Sequence, residues 1–286
     1  MEQDHGAPGE LILVATPIGN LGDLSPRALE TLASADVVYC EDTRRSRVLF
    51  SAHGVATRGR LRALHEHNEA SESEAVVLAV RSGRIVALVS DAGTPGISDP
   101  GARVVAAVAA AGLRVTTAPG PSAVIAALSV SGLPTERFAM EGFLPRKRGE
   151  RDLIYEAWSR ETRTVVFFES PARIAASLQE LAERFGERRV AVCRELTKMH
   201  EEVVRGTLRD VAVTLAGREA RGEFVVVLAG AIEPGVADEA VRAALAERLS
   251  AGASVRDAVS FVEATLGASH RVAYAMAVEL QSEGES

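Results

Sequence analysis

Four times along this 286-residue chain, a run of β-branched and aliphatic residues empties into a loop that closes on a small residue and a proline. "ELILVAT" leads to Ser25-Pro26, "IVALVS" to Asp99-Pro100, "LRVTTA" to Gly120-Pro121 and "TVVFFE" to Ser170-Pro171. Ser and Asp cap a helix by accepting an orphan backbone N–H, and Gly is also favoured there. Proline suits the first helical position, where its missing N–H has no partner and its φ is already helical. Each unit therefore reads as strand, loop and abruptly started helix, with "PRALETLASA" and "PARIAASLQELAERFG" crossing back over a sheet. The repeat confines the first half to an α/β fold with mostly parallel strands.

The second half changes character. "FAMEGF", "TVVFFE", "RRVAVCREL", "EEVVRGTL" and "GEFVVVLAG" read as strands, and few helices separate the last three, which predicts a mixed or antiparallel sheet. The expected organisation is a flexible N-terminus (1–9), an N-terminal α/β domain (10–134), a second α/β domain with a mixed sheet (135–230) and a helical C-terminal region (231–286). A linker, "AIEPGVAD", opens that last region. Val241, Leu245 and Leu249 form one apolar stripe, and Val255, Val259, Val262 and Leu266 another, each at helical spacing. Ser254 with Asp257 matches a capping box.

The hydrophobic fraction of 47% allows a sizeable core, and only 4% aromatic residues means that aliphatic side chains build it. No apolar run approaches the roughly 20 residues of a membrane span. The start, "MEQDHGAPGE", lacks the basic-then-apolar design of a signal peptide, so a cytoplasmic protein is expected. Cys40 and Cys193 lie in apolar runs without a C-x-x-C partner and read as buried free thiols. The formal charge of −7 excludes a generally basic nucleic-acid binder, but the charge is uneven. Between Thr43 and Leu64 stand six arginines (Arg44, Arg45, Arg47, Arg58, Arg60 and Arg62) and no acid, and "PRKRGER" (Pro145–Arg151) forms a second basic knot. Either a polyanion meets one face of the molecule, or these arginines solvate helix faces.

Loops at the carboxyl ends of parallel strands are where α/β proteins hold ligands. The first, "TPIGNLGD" (Thr16–Asp23), is not a G-x-G-x-x-G, and "DAGTPG" has no P-loop lysine. The loop "VSDAGTPGISDPG" carries two carboxylates, which repel a phosphate but suit hydroxyls or a cation. Asp91 follows the strand, caps nothing and is placed to anchor a ribose, while Gly93 and Gly96 permit close backbone approach. Asp99 reads most simply as the N-cap of a helix starting at Pro100. The "PGPSA" loop presents helix N-terminal amides at Ser122 and Ala123, suited to a carboxylate. A guest with ribose hydroxyls, an α-carboxylate and a cation would use all of these. S-adenosylmethionine is such a guest, although these residues alone do not single it out.

The ordered motifs "VATPIGNLGDLSPRAL", "EDTR", "HEHN", "LVSDAGTPGISDPG", "APGPSA", "LPTERFAMEGFLPRK", "FFESPARI", "CRELTKMHEE" and "GEFVVVLAG" resemble the ribosomal RNA small subunit methyltransferase I family of the tetrapyrrole-methylase superfamily. The likeness runs from about Leu11 to Gly230. It implies two α/β domains with S-adenosylmethionine in the cleft between them, 2′-O-methylation of a cytidine in the 16S rRNA of the small ribosomal subunit, and a homodimer. By the same resemblance, Pro17, Asp91, Gly93, Thr94, Ile97, Ser122 and Ala123 surround the cofactor, with Phe168, Leu196, Glu223 and Phe224 as its second-domain wall. The chain departs near its C-terminus, where "ASHRVAYAM" replaces a lysine-rich stretch and Arg271 is the only fixed charge before Tyr274.

Methyl transfer from a sulfonium to a hydroxyl needs oxygen, carbon and sulfur nearly in line, and it requires no metal and no covalent intermediate. A base for the hydroxyl proton adds roughly 10²–10⁴-fold. Candidates are Glu41 and Asp42 of "EDTR", His65 and His67 of "HEHN", and Glu169 and Lys198 from the second domain. The alternative for Glu41 or Asp42 is a pairing with a neighbouring arginine, and for Glu169 a structural bridge to Arg173. RNA contacts are expected from Arg44, Arg58, Arg60, Arg62, His65 and Asn68, and from Arg146, Lys147 and Arg148. His65 and His67 without a third ligand argue weakly for a metal. Competing readings are a methylase of a tetrapyrrole or protein acceptor and a non-catalytic sensor of an adenosine ligand.

Overall fold

A computed structural model describes residues 9–57, 59–231 and 238–284. Arg58, the linker at 232–237 and the N-terminal residues 1–8 lie outside them. Residues 1–230 form one compact unit and residues 231–286 another.

The first half of the larger unit runs β1 (Glu10–Val14), α1 (Pro26–Ser34), β2 (Val37–Cys40), α2 (Thr43–Ala52), β3 (Leu61–Ala63), α3 (Glu69–Arg81), β4 (Ile85–Val89), α4 (Ala102–Ala110), β5 (Arg114–Ala118) and α5 (Ala123–Ser131). Its five strands are all parallel, in the order β3-β2-β4-β1-β5. Alternate residues serve opposite faces, as the two-residue period of a strand requires. Val14, Val38, Cys40, Ala87 and Val89 pack with Ala28 and Leu32 of α1 and Phe50 of α2. Leu11, Tyr39, Val86 and Leu88 pack with Val76 and Val80 of α3 and Val104 and Val108 of α4. Helices thus cover both faces, which explains why the strands read as continuous apolar runs.

The second half continues with β6 (Phe138–Phe143), α6 (Arg148–Arg160), β7 (Thr164–Glu169), α7 (Ile174–Phe185), β8 (Arg189–Arg194), β9 (Glu202–Thr207), α8 (Leu208–Leu215) and β10 (Phe224–Leu228). Its sheet, in the order β6-β7-β10-β8-β9, is mixed. β6 and β7 are parallel, and the remaining pairs are antiparallel. One face packs on α6, α7 and α8 through Val165, Phe167, Val192 and Val226. The other face, through Val166, Ala191, Cys193, Val225 and Val227, is covered by Val124, Ala127 and Leu128 of α5 together with Ile18. Helix α5, which an expected boundary near residue 134 leaves with the first domain, is therefore the roof of the second sheet. The two sheets are halves of one body joined by that helix.

Of the four expected cap-and-proline starts, only the first forms as read. Ser25 Oγ accepts from Ala28 N at 3.1 Å, and Pro26 opens α1. Helix α5 is capped one residue beyond its proline, by Ser122, and α7 begins at Ile174 after a turn. Helix α4 begins at Ala102 with Gly101, at φ 133°, in the cap position and no cap from its own loop. Asp99 is therefore not its N-cap.

The C-terminal unit holds α9 (Asp238–Ser250), α10 (Val255–Leu266) and α11 (His270–Gly284). Both apolar stripes meet in its core, with Val241, Leu245, Val259 and Val262 buried against Ala273 and Ala277. Ser254 caps α10, its Oγ accepting from Asp257 N. Among the described residues no helix is long and apolar enough to cross a membrane.

Candidate active site

Because the first sheet is wholly parallel, the loops after β1, β2, β4 and β5 leave it on one side. Hydrogen bonds tie three of them together. Thr16 N donates to Gly93 O at 2.8 Å and Gly93 N to Thr16 O at 3.0 Å, while Thr94 Oγ1 donates to Pro121 O at 3.3 Å. Opposite them stand the end of β6, the turn after β7 and the entry to β10. Between the two sets lies a cleft of about 430 Å³, within the usual range for small-molecule sites of about 300–1,000 Å³.

Nine of the eleven residues expected around a cofactor line this cleft: Asp91, Gly93, Thr94, Ile97, Ser122, Ala123, Phe168, Glu223 and Phe224. Pro17 and Leu196 do not. Pro17 is half-buried beside the wall, which its neighbour Ile18 provides. Leu196 is buried with Ile18 in the core beneath α5. Among the wall residues that sequence reasoning missed are Ile18, Arg45, Asp99 and Phe143.

Asp91 sits at the centre of the acidic side. One carboxylate oxygen accepts from Asp42 N at 3.0 Å and the other from Arg45 Nη1 at 3.2 Å. Each oxygen keeps a lone pair for a further donor. Asp42 itself faces helix α2, capping Arg44 N at 2.8 Å and pairing with the Arg44 guanidinium at 2.9 Å. The Arg44 side chain holds its carboxyl at about 2, mainly by direct hydrogen bonding. Asp42 lies outside the cleft wall and, as so weak a base, is a poor proton acceptor; the arginine pairing is its role. Glu41, next to it, does line the cleft, and burial followed by the charge of Asp91 pushes its carboxyl up.

Asp99 lines the same wall. Loss of water, then the charges of Glu41 and Asp91, push its carboxyl up to about 6, against the opposing Ser90 hydroxyl. Its expected capping work is done from elsewhere. Glu69, buried at the start of α3, accepts from Gly101 N at 2.9 Å and Arg103 N at 2.8 Å.

The second wall is partly aromatic. Phe143 and Phe168 lie 5.3 Å apart at 46°, and Phe143, past an irregularity in β6, keeps 58% of its surface exposed. Glu169 borders the cleft, but its carboxylate is fully engaged. It accepts from Ser170 N at 2.7 Å, Ser177 Oγ at 2.7 Å and Arg173 Nη2 at 2.7 Å, with a side-chain exposure of 0%. It holds the turn after β7 and is unavailable as a base. Lys198 is clamped by Glu195 at 2.8 Å and Glu223 at 3.0 Å and lies outside the wall.

The expected RNA-contacting residues divide. Arg44, Arg62, His65, Arg146, Lys147 and Arg148 are exposed. Arg60 is not a surface cation, because its guanidinium donates to Leu32 O, Ala33 O and Ala35 O at the end of α1 and to Ala56 O. The Asn68 amide closes its own turn, accepting from His65 N at 2.8 Å and donating to Ala63 O at 3.0 Å.

Residues 10–212 match the family model of Tetrapyrrole (Corrin/Porphyrin) Methylases. Among solved structures, a diphthine synthase superposes over 77% of this chain and 90% of its own (TM-score 0.59, 17% identity). A uroporphyrin-III-C-methyltransferase from Thermus thermophilus superposes over 77% and 94% (TM-score 0.51, 24% identity). The family model, matched over residues 10–212, makes the chain a methylase of that superfamily, and the superpositions show its fold. Proteins called "Ribosomal RNA small subunit methyltransferase I" are much nearer in sequence. The one from Mycobacterium tuberculosis (strain CDC 1551 / Oshkosh) is 49% identical over 90% of both chains. The one from Synechocystis sp. (strain ATCC 27184 / PCC 6803 / Kazusa) is 40% identical over 96% of this chain and all of its own. The chain belongs to the ribosomal RNA small subunit methyltransferase I family, which uses S-adenosylmethionine.

The cleft fits that cofactor. Glu41, Asp91, Asp99 and Glu223 on its wall outnumber Arg45, so its potential favours a sulfonium cation. Asp91 offers spare lone pairs for sugar hydroxyls, and the first turn of α5 at Ala123 and Val124 presents its positive end to a carboxylate.

Proposed function

We propose that this chain transfers a methyl group from S-adenosylmethionine to the 2′-hydroxyl of a cytidine in the 16S rRNA of the small ribosomal subunit, working as a homodimer. The observation that carries the reading is the two-sided cleft. One side is acidic and made from the loops of the parallel sheet, and the other presents the open aromatic face of Phe143. Asp91 anchors the sugar of the donor, the first turn of α5 its carboxylate, and Phe143 gives a stacking surface to an unpaired base. The donor supplies an already activated methyl group on sulfur. The protein supplies alignment in a water-poor cleft, worth about 7–11 kcal/mol in the ideal case.

The cleft also speaks against a polycarboxylate macrocycle as acceptor. Such a molecule would set its acids against Glu41, Asp91, Asp99 and Glu223, with Arg45 alone to answer them. An RNA strand keeps its phosphates outside, where Arg44, Arg62, Arg146, Lys147 and Arg148 are exposed, and sends only a nucleoside inward. Labelled-methyl transfer should proceed with small ribosomal subunits and not with uroporphyrinogen. Mapping of 2′-O-methyl marks should reveal one cytidine that is unmodified in cells lacking the protein. An unchanged rRNA methylation map would end the proposal.

A further inference from the structure

The geometry assigns Asp99 as the base that takes the ribose 2′-hydroxyl proton, an assignment that rests on the methyl-transfer reading above. Most other acids of the cleft are already committed. Asp91 is tied by both oxygens to Asp42 N and Arg45. Glu169 is sealed beneath Arg173, Ser170 and Ser177, and Glu223 is mostly exposed and holds Lys198. Glu41 and Asp99 are left. Glu41 is exposed on the loop after β2, whereas Asp99 is half-buried on a loop whose backbone is fixed on both sides.

The way that backbone is fixed points to Asp99 of the two. Ser98, immediately before it, is held at φ 60°, a conformation that L-residues seldom adopt. Two residues on, Gly101 is at φ 133°, and a Cβ there would stand 2.7 Å from Leu88 Cδ2, so no other residue fits without displacing the core. Glu69 satisfies the first amides of α4 that Asp99 would otherwise cap. The chain thus takes on a strained residue and recruits a buried acid from another helix, and the outcome is an aspartate that lines the cleft, with its carboxylate bonded to the Ser90 hydroxyl rather than to the α4 amides. Strain of this kind concentrates at functional positions.

The charged groups around Asp99 are Glu41 and Asp91 on the acidic side, Arg45 beyond Asp91, and Glu69 bound to the α4 amides. Shelter from water, and after it crowding by Glu41 and Asp91, give the carboxylate an affinity for a proton that an exposed aspartate lacks. A base is most effective when its pKa approaches the working pH. In the step, the 2′-oxygen forms its bond to the methyl carbon as the carbon–sulfur bond breaks, with that electron pair staying on sulfur and cancelling its charge. The hydroxyl proton passes to Asp99, then to water when products leave.

The test uses full-length protein with small ribosomal subunits and labelled S-adenosylmethionine. Asp99→Asn, which keeps size and polarity, should lower kcat at least 100-fold while calorimetry shows cofactor affinity within about threefold of wild type; Asp99→Glu should recover part of the loss. Wild-type kcat should rise about tenfold per pH unit on the acid side and level off near or below pH 6. In Glu41→Gln the same limb should move to lower pH, because a neighbouring negative charge is gone. A wild-type kcat in Asp99→Asn, or loss of activity in Glu41→Gln with Asp99→Asn active, would overturn the assignment and leave the methyltransferase intact. An inactive wild-type protein on every rRNA substrate would remove the parent reading and this one with it.

Discussion

Glu69 Oε1 lies 2.9 Å from the amide nitrogen of Gly101, a residue 32 positions further along the chain. The same oxygen accepts from Arg103 N, so one buried carboxylate on α3 caps α4. Loss of a cap costs about 0.5–2 kcal/mol, and leaving a buried amide without a partner about 1–3 kcal/mol. Glu69→Ala should therefore lower unfolding free energy in urea by about 2–3 kcal/mol and weaken cofactor binding through the displaced 98–101 loop. Glu69→Gln, which keeps an acceptor oxygen, should recover most of both. A fully stable alanine variant would show that the cap is dispensable.

Asp99 leaves a signature in stability as well as in rate. Its carboxyl moves from an ordinary 3.8 to about 6 on folding. The folded state therefore holds the proton more tightly than the unfolded one. Stability at this group is undiminished below about pH 4, falls as pH climbs from there through 6, and is flat above. At about 1.36 kcal/mol per tenfold, the cost at pH 8 is no more than about 3 kcal/mol, less whatever solvent screens. Asp99→Asn stays neutral throughout. Denaturant titrations should find it more stable than wild type at pH 8 and little different at pH 4. Equal stability at both would mean that the carboxyl is not crowded.

The rescue of α4 by Glu69 also marks the limit of what the sequence makes legible. Parallel strands, the mixed second sheet and the C-terminal helices follow from local pattern, because strand ends and their loops are encoded locally; the nine expected residues that line the cleft come from the resemblance of the ordered motifs to a known family. Asp99 is misread because a Ser/Asp-Pro cap is also a local rule, and here a residue on another helix overrides it. Arg60 is misread for the same reason in reverse. Its neighbours Arg58 and Arg62 suggest a basic surface, but only the fold brings the open carbonyls of α1 within its reach. The i,i+4 spacing of Glu169 and Arg173 does announce their bridge, whereas Lys198 finds Glu223, 25 residues on, through a turn with positive φ angles of 51° at Glu195 and 66° at Thr197. Phe143 has a visible signal, an aromatic two residues before the basic knot, that becomes meaningful only beside Phe168.

Asp91, which we propose anchors the sugar of the donor, is the residue whose removal should be felt first by the cofactor. Asp91→Ala deletes the acceptor facing the cleft and also frees Arg45, bringing an unpaired cation into the wall. Hydrogen bonds to charged groups contribute about 1.5–3 kcal/mol, so calorimetry should record a 10- to 100-fold loss of S-adenosylmethionine affinity. Arg45→Ala should weaken binding much less, since it removes the cation and leaves the carboxylate. Matching losses in both variants would mean that the ion pair, rather than the Asp91 oxygen, is what the ligand requires.

Arg60 and Arg62 stand two residues apart and should behave as opposites. Arg60 Nη1 donates to Ala35 O and Leu32 O at the C-terminal end of α1, where open carbonyls and the helix dipole favour a cation. Arg60→Ser should cost about 2–3 kcal/mol of stability and leave the salt dependence of RNA binding unchanged per folded molecule. Arg62 is exposed, and among the described residues its guanidinium donates to carbonyls of its own turn, Gly59 O and Leu61 O. Arg62→Ser, alone or with Arg146, Lys147 and Arg148 changed to serine, should leave unfolding midpoints within about 0.5 kcal/mol of wild type. Its effect belongs in the slope of log affinity against log salt, which should flatten by about 0.7–0.9 for each phosphate that is no longer neutralised. A slope identical to wild type in the quadruple variant would take this surface out of the RNA path. Cofactor affinity should be unaltered throughout, because none of these side chains reaches the cleft wall.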